Sequence, residues 1–276
     1  MRVAAIQMVS DTQVPTNLQA AGQLIAQAAA QGAELVALPE YFCLLAASDA
    51  DKLAAQEQAS DGLIQTFLAN MARGHKVWLV GGTLPLSTAQ RQRVRNSCLV
   101  FDPQGQQVAR YDKIHLFAFD NGQESYDESR VIEPGTTPVC FSLPSRDGHT
   151  WRVGLSVCYD LRFAALYSAL QADLLLVPSA FTHTTGQAHW EALLRARAIE
   201  NLAYVAAPAQ GGQHANGRAT WGHTMVVGSW GEVLAQHAQG PGVVLADISM
   251  TALQQQRAQL PALAHHQALL PVTHSV

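Results

Sequence analysis

Val153-Gly154-Leu155-Ser156-Val157-Cys158-Tyr159-Asp160-Leu161-Arg162-Phe163 is an apolar run that ends in a cysteine set among polar and aromatic residues. Val153, Leu155 and Val157 alternate with smaller residues, the period of a strand facing a core. From Phe163 the spacing changes, and Ala164, Leu166, Tyr167, Ala169 and Leu170 read as a helix. Cys158 therefore falls where a strand gives way to a helix, beside unpaired N–H groups and a positive helix end, surroundings expected to favour thiolate over thiol. A lone cysteine at a strand end is more often a space-filling hydrophobe, so the rest of the chain must decide its role.

Outward from this stretch the chain alternates strands and helices. Residues 3–9 read as a buried first strand, Leu18, Ala21, Ile25 and Ala28 as an amphipathic helix stopping at Gly32, and residues 35–38 as a second strand that Pro39 ends just before Glu40. A helix through Leu63, Phe67, Leu68 and Met71, closed at Gly74, leads to a third buried strand over 77–82. Residues 97–101 and 107–111 flank the turn Asp102-Pro103-Gln104-Gly105 as a hairpin whose second arm leads into Lys113. Residues 114–135 lack periodicity and predict a long loop, of the kind that is usually functional. Residues 139–143 and 150–157 form a second hairpin ending at Cys158. Beyond it come a strand over 173–177, a loop over 178–188, a helix with Trp190, Leu193, Leu194 and Ala198 on one face and a Glu191–Arg195 pair, and a strand over 204–209. Strands follow over 223–227, 233–237 and 243–248, then a tail from about residue 251 with a short helix, Pro261, His265 and His266. The order predicts an α/β sandwich in one domain over 1–276.

Composition narrows the function classes. With 48% hydrophobic and 14% charged residues and a net charge of −4, nothing favours nucleic acid or an anionic membrane. Arg91, Arg93 and Arg95 form the one basic cluster and read as a solvated hairpin. Cys43, Cys98, Cys140 and Cys158 are widely spaced, which suggests neither a disulfide framework nor a zinc site and fits reduced thiols in a cytoplasm. No apolar run is long enough to span a bilayer and the N-terminus lacks the pattern of a signal peptide, so a soluble protein is expected.

Glu40, Lys113 and Cys158 all stand at the ends of strand-like segments. Amide chemistry needs a nucleophile, a proton carrier and a positive group at the developing oxyanion. If the fold joins the three, Cys158 attacks, Glu40 carries the proton, and Lys113 with the backbone N–H of Tyr159 holds the oxyanion. Leu38, Pro39 and Phe42 around Glu40 would desolvate its carboxylate and raise its pKa.

The motifs Leu38-Pro39-Glu40-Tyr41-Phe42, Tyr111-Asp112-Lys113-Ile114-His115-Leu116-Phe117 and Ser156-Val157-Cys158-Tyr159-Asp160-Leu161-Arg162-Phe163, in this order, resemble those of the nitrilase superfamily of carbon-nitrogen hydrolases. The resemblance implies a four-layer αββα sandwich, amidase chemistry without cofactor or metal, a small-molecule amide as substrate, and a homodimer or higher homo-oligomer. It also implies a second glutamate, for which Glu128 in Tyr126-Asp127-Glu128-Ser129 stands in the matching place to orient Lys113 or the substrate. Residues 179–191 and 194–200 resemble the Nit-type branch, which includes deaminated glutathione amidases and ω-amidases. Gly222-His223-Thr224-Met225-Val226-Val227 and Gly240-Pro241-Gly242 are similar to the first of these. Both groups act on a 2-oxoglutarate-like acyl unit, whose carboxylate needs a cation. Arg162 is the candidate, with Phe181 and Thr185 lining the acyl pocket, against a structural ion pair as the plain role for Arg162. One departure is Ala164-Ala165-Leu166 where the family often has Pro-Glu-Leu.

Weaker signals are His183 and His189, whose spacing fits no zinc motif and which read as loop and helix-cap residues, and His115, which could mimic a cysteine-protease base. Trp221 and Trp230 are expected in the core or at an interface. A partner-binding sandwich and a redox sensor built on Cys158 are the competing classes. The first has no need of all of Glu40, Lys113 and Cys158, and the second needs a resolving cysteine nearby.

Overall fold

The computed structural model describes residues 1–265 and 267; His266 lies outside the described residues. In chain order the elements are β1 (Arg2–Gln7), α1 (Val14–Ala30), β2 (Leu35–Ala37), α2 (Asp49–Ala54), α3 (Leu63–His75), β3 (Trp78–Val80), β4 (Leu84–Ser87), β5 (Val94–Phe101) and β6 (Gln107–Asp112). They continue with β7 (Ala118–Asp120), β8 (Ser125–Asp127), β9 (Val139–Pro144), β10 (Thr150–Leu155), α4 (Ala164–Leu170), β11 (Leu174–Leu176), α5 (His183–Asn201) and β12 (Tyr204–Ala207). The last are β13 (Gly211–Gln213), β14 (Ala219–Trp221), β15 (Thr224–Val227), β16 (Val233–His237), β17 (Gly242–Asp247) and α6 (Met250–Gln259).

Side-chain alternation builds the layers. On β1, Val3 and Ala5 face the second sheet while Ala4 and Ile6 face helices, and Leu35 and Ala37 against Val36 repeat the division on β2. The outward set packs under Leu18, Ala21, Ile25 and Ala28 of α1 and Ile64, Leu68 and Ala72 of α3. The inward set meets Val153 and Leu155 of β10 and β11, beyond which lie Leu166 and Leu170 of α4 and Trp190, Leu194 and Ala198 of α5. Helices, sheet, sheet, helices: this is the αββα sandwich. The first sheet runs β17-β1-β2-β3-β5-β4 with β6 also on β5, and the second runs β16-β15-β12-β11-β10-β9. In both, the central strands are parallel and the flanking ones antiparallel. Parallel strands buried on both faces read as the continuous apolar runs seen at 35–38 and 174–177.

Several boundaries differ from the sequence reading. The supposed loop 178–188 is helical from His183, because Thr182 accepts the Thr185 N–H at 3.3 Å as an N-cap and starts α5 early. Helix α3 passes through Gly74 and ends at Lys76, which takes a left-handed φ of 54°. The long loop 114–135 contains the hairpin β7–β8, closed by Asn121-Gly122 with Gly122 at φ 81°, and a 3-10 turn over Glu128–Arg130. The Arg91–Arg95 segment is a hairpin connection, but Arg95 is not simply solvated, since it pairs with Asp112 at 3.6 Å and with Glu133.

Candidate active site

The strands that bury the core end at one cleft. Leu35–Ala37 of β2 runs into Leu38-Pro39, which delivers Glu40, and Gly82 after β3 lies so close that a Cβ there would sit 2.1 Å from the Pro39 carbonyl oxygen. At Gly82 the φ of 52° and this approach both require glycine. Strand β6 ends at Asp112, so Lys113 projects into the same region, and β10 ends at Leu155, just before Val157 and Cys158. Cys158 opens a five-residue 3-10 turn in a left-handed conformation, φ 52°, and Tyr41 beside Glu40 has φ 57°. Non-glycine residues held at positive φ store strain and cluster where function requires it.

Glu40, Lys113, Cys158 and Glu128 come together. Lys113 Nζ donates to Glu40 Oε1 at 2.9 Å and to Glu128 Oε1 and Oε2 at 3.0 and 2.8 Å. Glu40 also accepts from Asn96 Nδ2 at 2.9 Å and the Ala180 N–H at 3.0 Å. Glu128 accepts from the Tyr41 hydroxyl at 2.6 Å and the Phe117 N–H at 2.7 Å. Asn96, Ala180 and Tyr41 were missed in the sequence. Asn96 carried a signal, a polar residue inside the apolar strand β5, and Tyr41 adjoins Glu40.

Burial and charge set the protonation states. Burial raises the Glu40 pKa from its ordinary value although Lys113 pulls it down. Burial disfavours charge on Lys113, but Glu128 and Glu40 outweigh it and hold the ammonium well above its ordinary value. Glu128, whose burial works the other way, is lowered by Lys113. Cys158 is pushed well above the thiol range, by burial first and then by the Glu40 carboxylate, with Lys113 opposing. This corrects the expectation of a thiolate: a turn of five residues in a buried, carboxylate-bearing pocket does not offset the lost hydration. At rest the site pairs a neutral thiol with a carboxylate able to take its proton.

Below the cysteine, buried Asp160 ties the site together. One oxygen accepts the Val157 N–H at 2.9 Å and the Tyr111 hydroxyl at 2.7 Å, and the other accepts the His115 N–H at 3.0 Å and lies 2.7 Å from His115 Nδ1. His115, stacked on Phe163 with ring centroids 3.6 Å apart, is thus engaged as a strut rather than held as a base.

The cleft beside Cys158 is narrow, with a cavity volume of about 10 Å³, and is lined by Phe117, Tyr159, Arg162, Ala180, Phe181 and Thr185 among others. The Arg162 guanidinium lies 5.7 Å from both the Tyr159 and Phe181 ring centroids and 3.3 Å from His189 Nδ1, and among the described residues it has no carboxylate partner. The ion-pair role for Arg162 is therefore not the one found. His183 opens α5 against Trp221, and His189 sits in the helix body rather than at its cap. Ala164 and Ala165 open α4 exposed and without an acid in its first turn. Trp221 is half-buried, packs against the core and stacks on His223 at 4.3 Å, whereas Trp230 is exposed. Among the described residues no helix is long and apolar enough to cross a membrane.

The sandwich and its cleft are those of an enzyme that hydrolyses amide carbon-nitrogen bonds. The chain belongs to the carbon-nitrogen hydrolase family, whose model matches residues 2–258. It is 41% identical to a deaminated glutathione amidase of Synechocystis sp. over 95% of this chain and 96% of that protein. It is 37% identical to the omega-amidase of Homo sapiens over 94% of this chain and 92% of that one. The crystal structure of the C. elegans NitFhit protein superposes with a TM-score of 0.86 at 36% identity, covering 96% of this chain and 65% of that chain.

Proposed function

We propose that this protein is a thiol amidase that hydrolyses deaminated glutathione to 2-oxoglutarate and a cysteinyl-glycine dipeptide. The observation that carries the reading is the shared hydrogen-bond set in which Lys113 bridges Glu40 and Glu128 beside Cys158. Cys158 Sγ attacks the amide carbonyl as Glu40 takes the thiol proton, and the tetrahedral oxyanion forms against Lys113 Nζ and the Tyr159 N–H. Protonated Glu40 returns the proton to the leaving amine as the carbon-nitrogen bond breaks, leaving a thioester. Glu40 then deprotonates water, which attacks the thioester, and the proton goes back to the sulfur. Glu128, bonded through both oxygens to Lys113, keeps the ammonium charged and aimed.

Arg162 is the cation for the acyl carboxylate, with Phe181 and Thr185 walling the acyl pocket; its unpaired guanidinium at the cleft supports this. The similarity to an omega-amidase supports a second reading, 2-oxoglutaramate as substrate, which uses the same acyl pocket. A single domain is supported by the core cluster that joins both sheets, and the four cysteines, all free, fit a reducing cytoplasm. A homodimer is supported by an exposed apolar patch in which Gly231, next to Trp230, packs on Ile199.

The test incubates wild type and Cys158→Ala with each amide. Release of 2-oxoglutarate from deaminated glutathione by wild type alone is expected. No turnover of that amide by wild type would sink the substrate, and undiminished turnover by the variant would sink the mechanism.

A further inference from the structure

Two arginines flank the catalytic cluster on opposite sides. Arg162 stands over Tyr159 on the Cys158 side. On the Glu128 side a second cavity of about 80 Å³ is lined by Tyr41, Phe117, Tyr126, Glu128 and Arg218 among others. Phe117 belongs to the walls of both cavities, so they adjoin at that ring. The Arg218 guanidinium lies 4.9 Å from the Tyr126 centroid, Tyr126 lies 5.8 Å from Phe117, and Phe117 lies 5.3 Å from Tyr159. Three aromatic rings thus line the way across the cleft, with a guanidinium at each end.

The other charges of the second cavity are largely spoken for. Glu128 pairs with Lys113, which it shares with Glu40, Asp49 pairs with Lys52 at 3.0 Å and Arg130 at 3.6 Å, and Asp127 caps its own turn by accepting the Ser129 N–H. Arg218 has no carboxylate partner among the described residues. A half-buried guanidinium over an aromatic ring, with no side-chain hydrogen bond among the described residues, is prepared for a carboxylate.

We infer that Arg218 binds the terminal carboxylate of the leaving group and so sets the preference for a peptide-like amide over a primary amide. The assignment rests on the amidase reading above. Deaminated glutathione carries a carboxylate at each end with the scissile amide between them. The acyl end takes Arg162 and the dipeptide end takes Arg218. The amide of 2-oxoglutaramate has only ammonia to lose, and it leaves Arg218 idle.

The experiment compares steady-state constants of wild type, Arg218→Gln, Arg218→Lys and Arg162→Gln on both amides. For Arg218→Gln, KM for deaminated glutathione should rise about 10- to 100-fold, the loss expected for one charge-assisted contact, with its kcat within about twofold. Its constants for 2-oxoglutaramate should stay unchanged, which also shows the variant folded. Arg218→Lys should recover part of the affinity, and Arg162→Gln should weaken both substrates. Unchanged KM in Arg218→Gln, or an equal rise for both amides, overturns the assignment while the amidase reading stands. A wild type that hydrolyses 2-oxoglutaramate but not deaminated glutathione overturns the substrate reading and the assignment together.

Discussion

At Glu40 two opposed effects meet, since loss of hydration raises the carboxyl pKa and the Lys113 ammonium 2.9 Å away lowers it, and burial prevails. The chemical consequence is a base poised closer to neutrality than a solvated glutamate, whose ordinary pKa is about 4.3. The form that works in the free enzyme is ionised Glu40 with neutral Cys158. As pH falls through the raised Glu40 pKa the base is lost, so the acid limb of kcat/KM should lie above the ordinary glutamate value. The Cys158 thiol, held well above its own range, adds no limb at neutral pH. Glu40→Gln should lower kcat by at least 10²-fold, the usual worth of a positioned proton carrier, and should abolish that acid limb in any residual activity. A pH–rate series on both forms checks this, and an acid limb unmoved in Glu40→Gln would reassign it to another group. Glu40, Lys113 and Cys158 were legible because each is a reactive side chain where an apolar run stops. The protonation state of Cys158 was not legible, because it depends on the Glu40 carboxylate and the depth of burial, which no local pattern records.

Among the elements, the 3-10 turn over Cys158–Arg162 and the segment after β6 are joined through one carboxylate, that of Asp160. Asp160 is two residues beyond Cys158 and His115 two beyond Lys113, so their pairing sets the nucleophile and the ammonium in register. Removing the acceptor strands four donors, three of them on backbone or a buried hydroxyl, whereas removing one donor leaves the acceptor satisfied by the rest. Asp160→Ala should therefore cost about 3–5 kcal/mol, and Tyr111→Phe only about 1 kcal/mol. Urea unfolding followed by far-UV circular dichroism would measure both, and equal losses would show that Asp160 is not the shared anchor. Sequence periodicity revealed the strands that carry the site and missed this tie, because Tyr111, His115 and Asp160 meet only through folding. It also missed the start of α5, where Thr182 caps a helix whose first residues are polar and carry no apolar period. The hairpin β7–β8 was hidden by its three-residue strands, although Asn121-Gly122 marked its turn.

For the whole molecule, the sandwich covers one face of each sheet with the other sheet and the opposite faces with helices, yet one apolar surface stays open. Ile199 near the end of α5 is 50% exposed and Trp230 55%, and the turn that carries Trp230 packs on Ile199 through Gly231. Arg195 Nε donates to the Gly231 carbonyl at 2.8 Å, which fixes the Trp230 turn against α5. A second copy of this chain meeting the patch would bury an aromatic anchor of the kind that dominates interface energetics. The same helix begins at the cleft, where Thr185 lines the wall beside Cys158, so pairing over its far half would steady the acyl pocket. Wild type should thus be dimeric by light scattering at micromolar concentration, and Trp230→Glu should shift it to monomer with its fold intact by circular dichroism. If pairing steadies α5, the monomeric variant should also show a raised KM, because the patch touches no catalytic group and can act on the cleft only along the helix. A wild type that is monomeric at tens of micromolar, or a Trp230→Glu variant still dimeric, would place the interface elsewhere. A monomer with unaltered KM would keep the interface but sever its link to the acyl pocket.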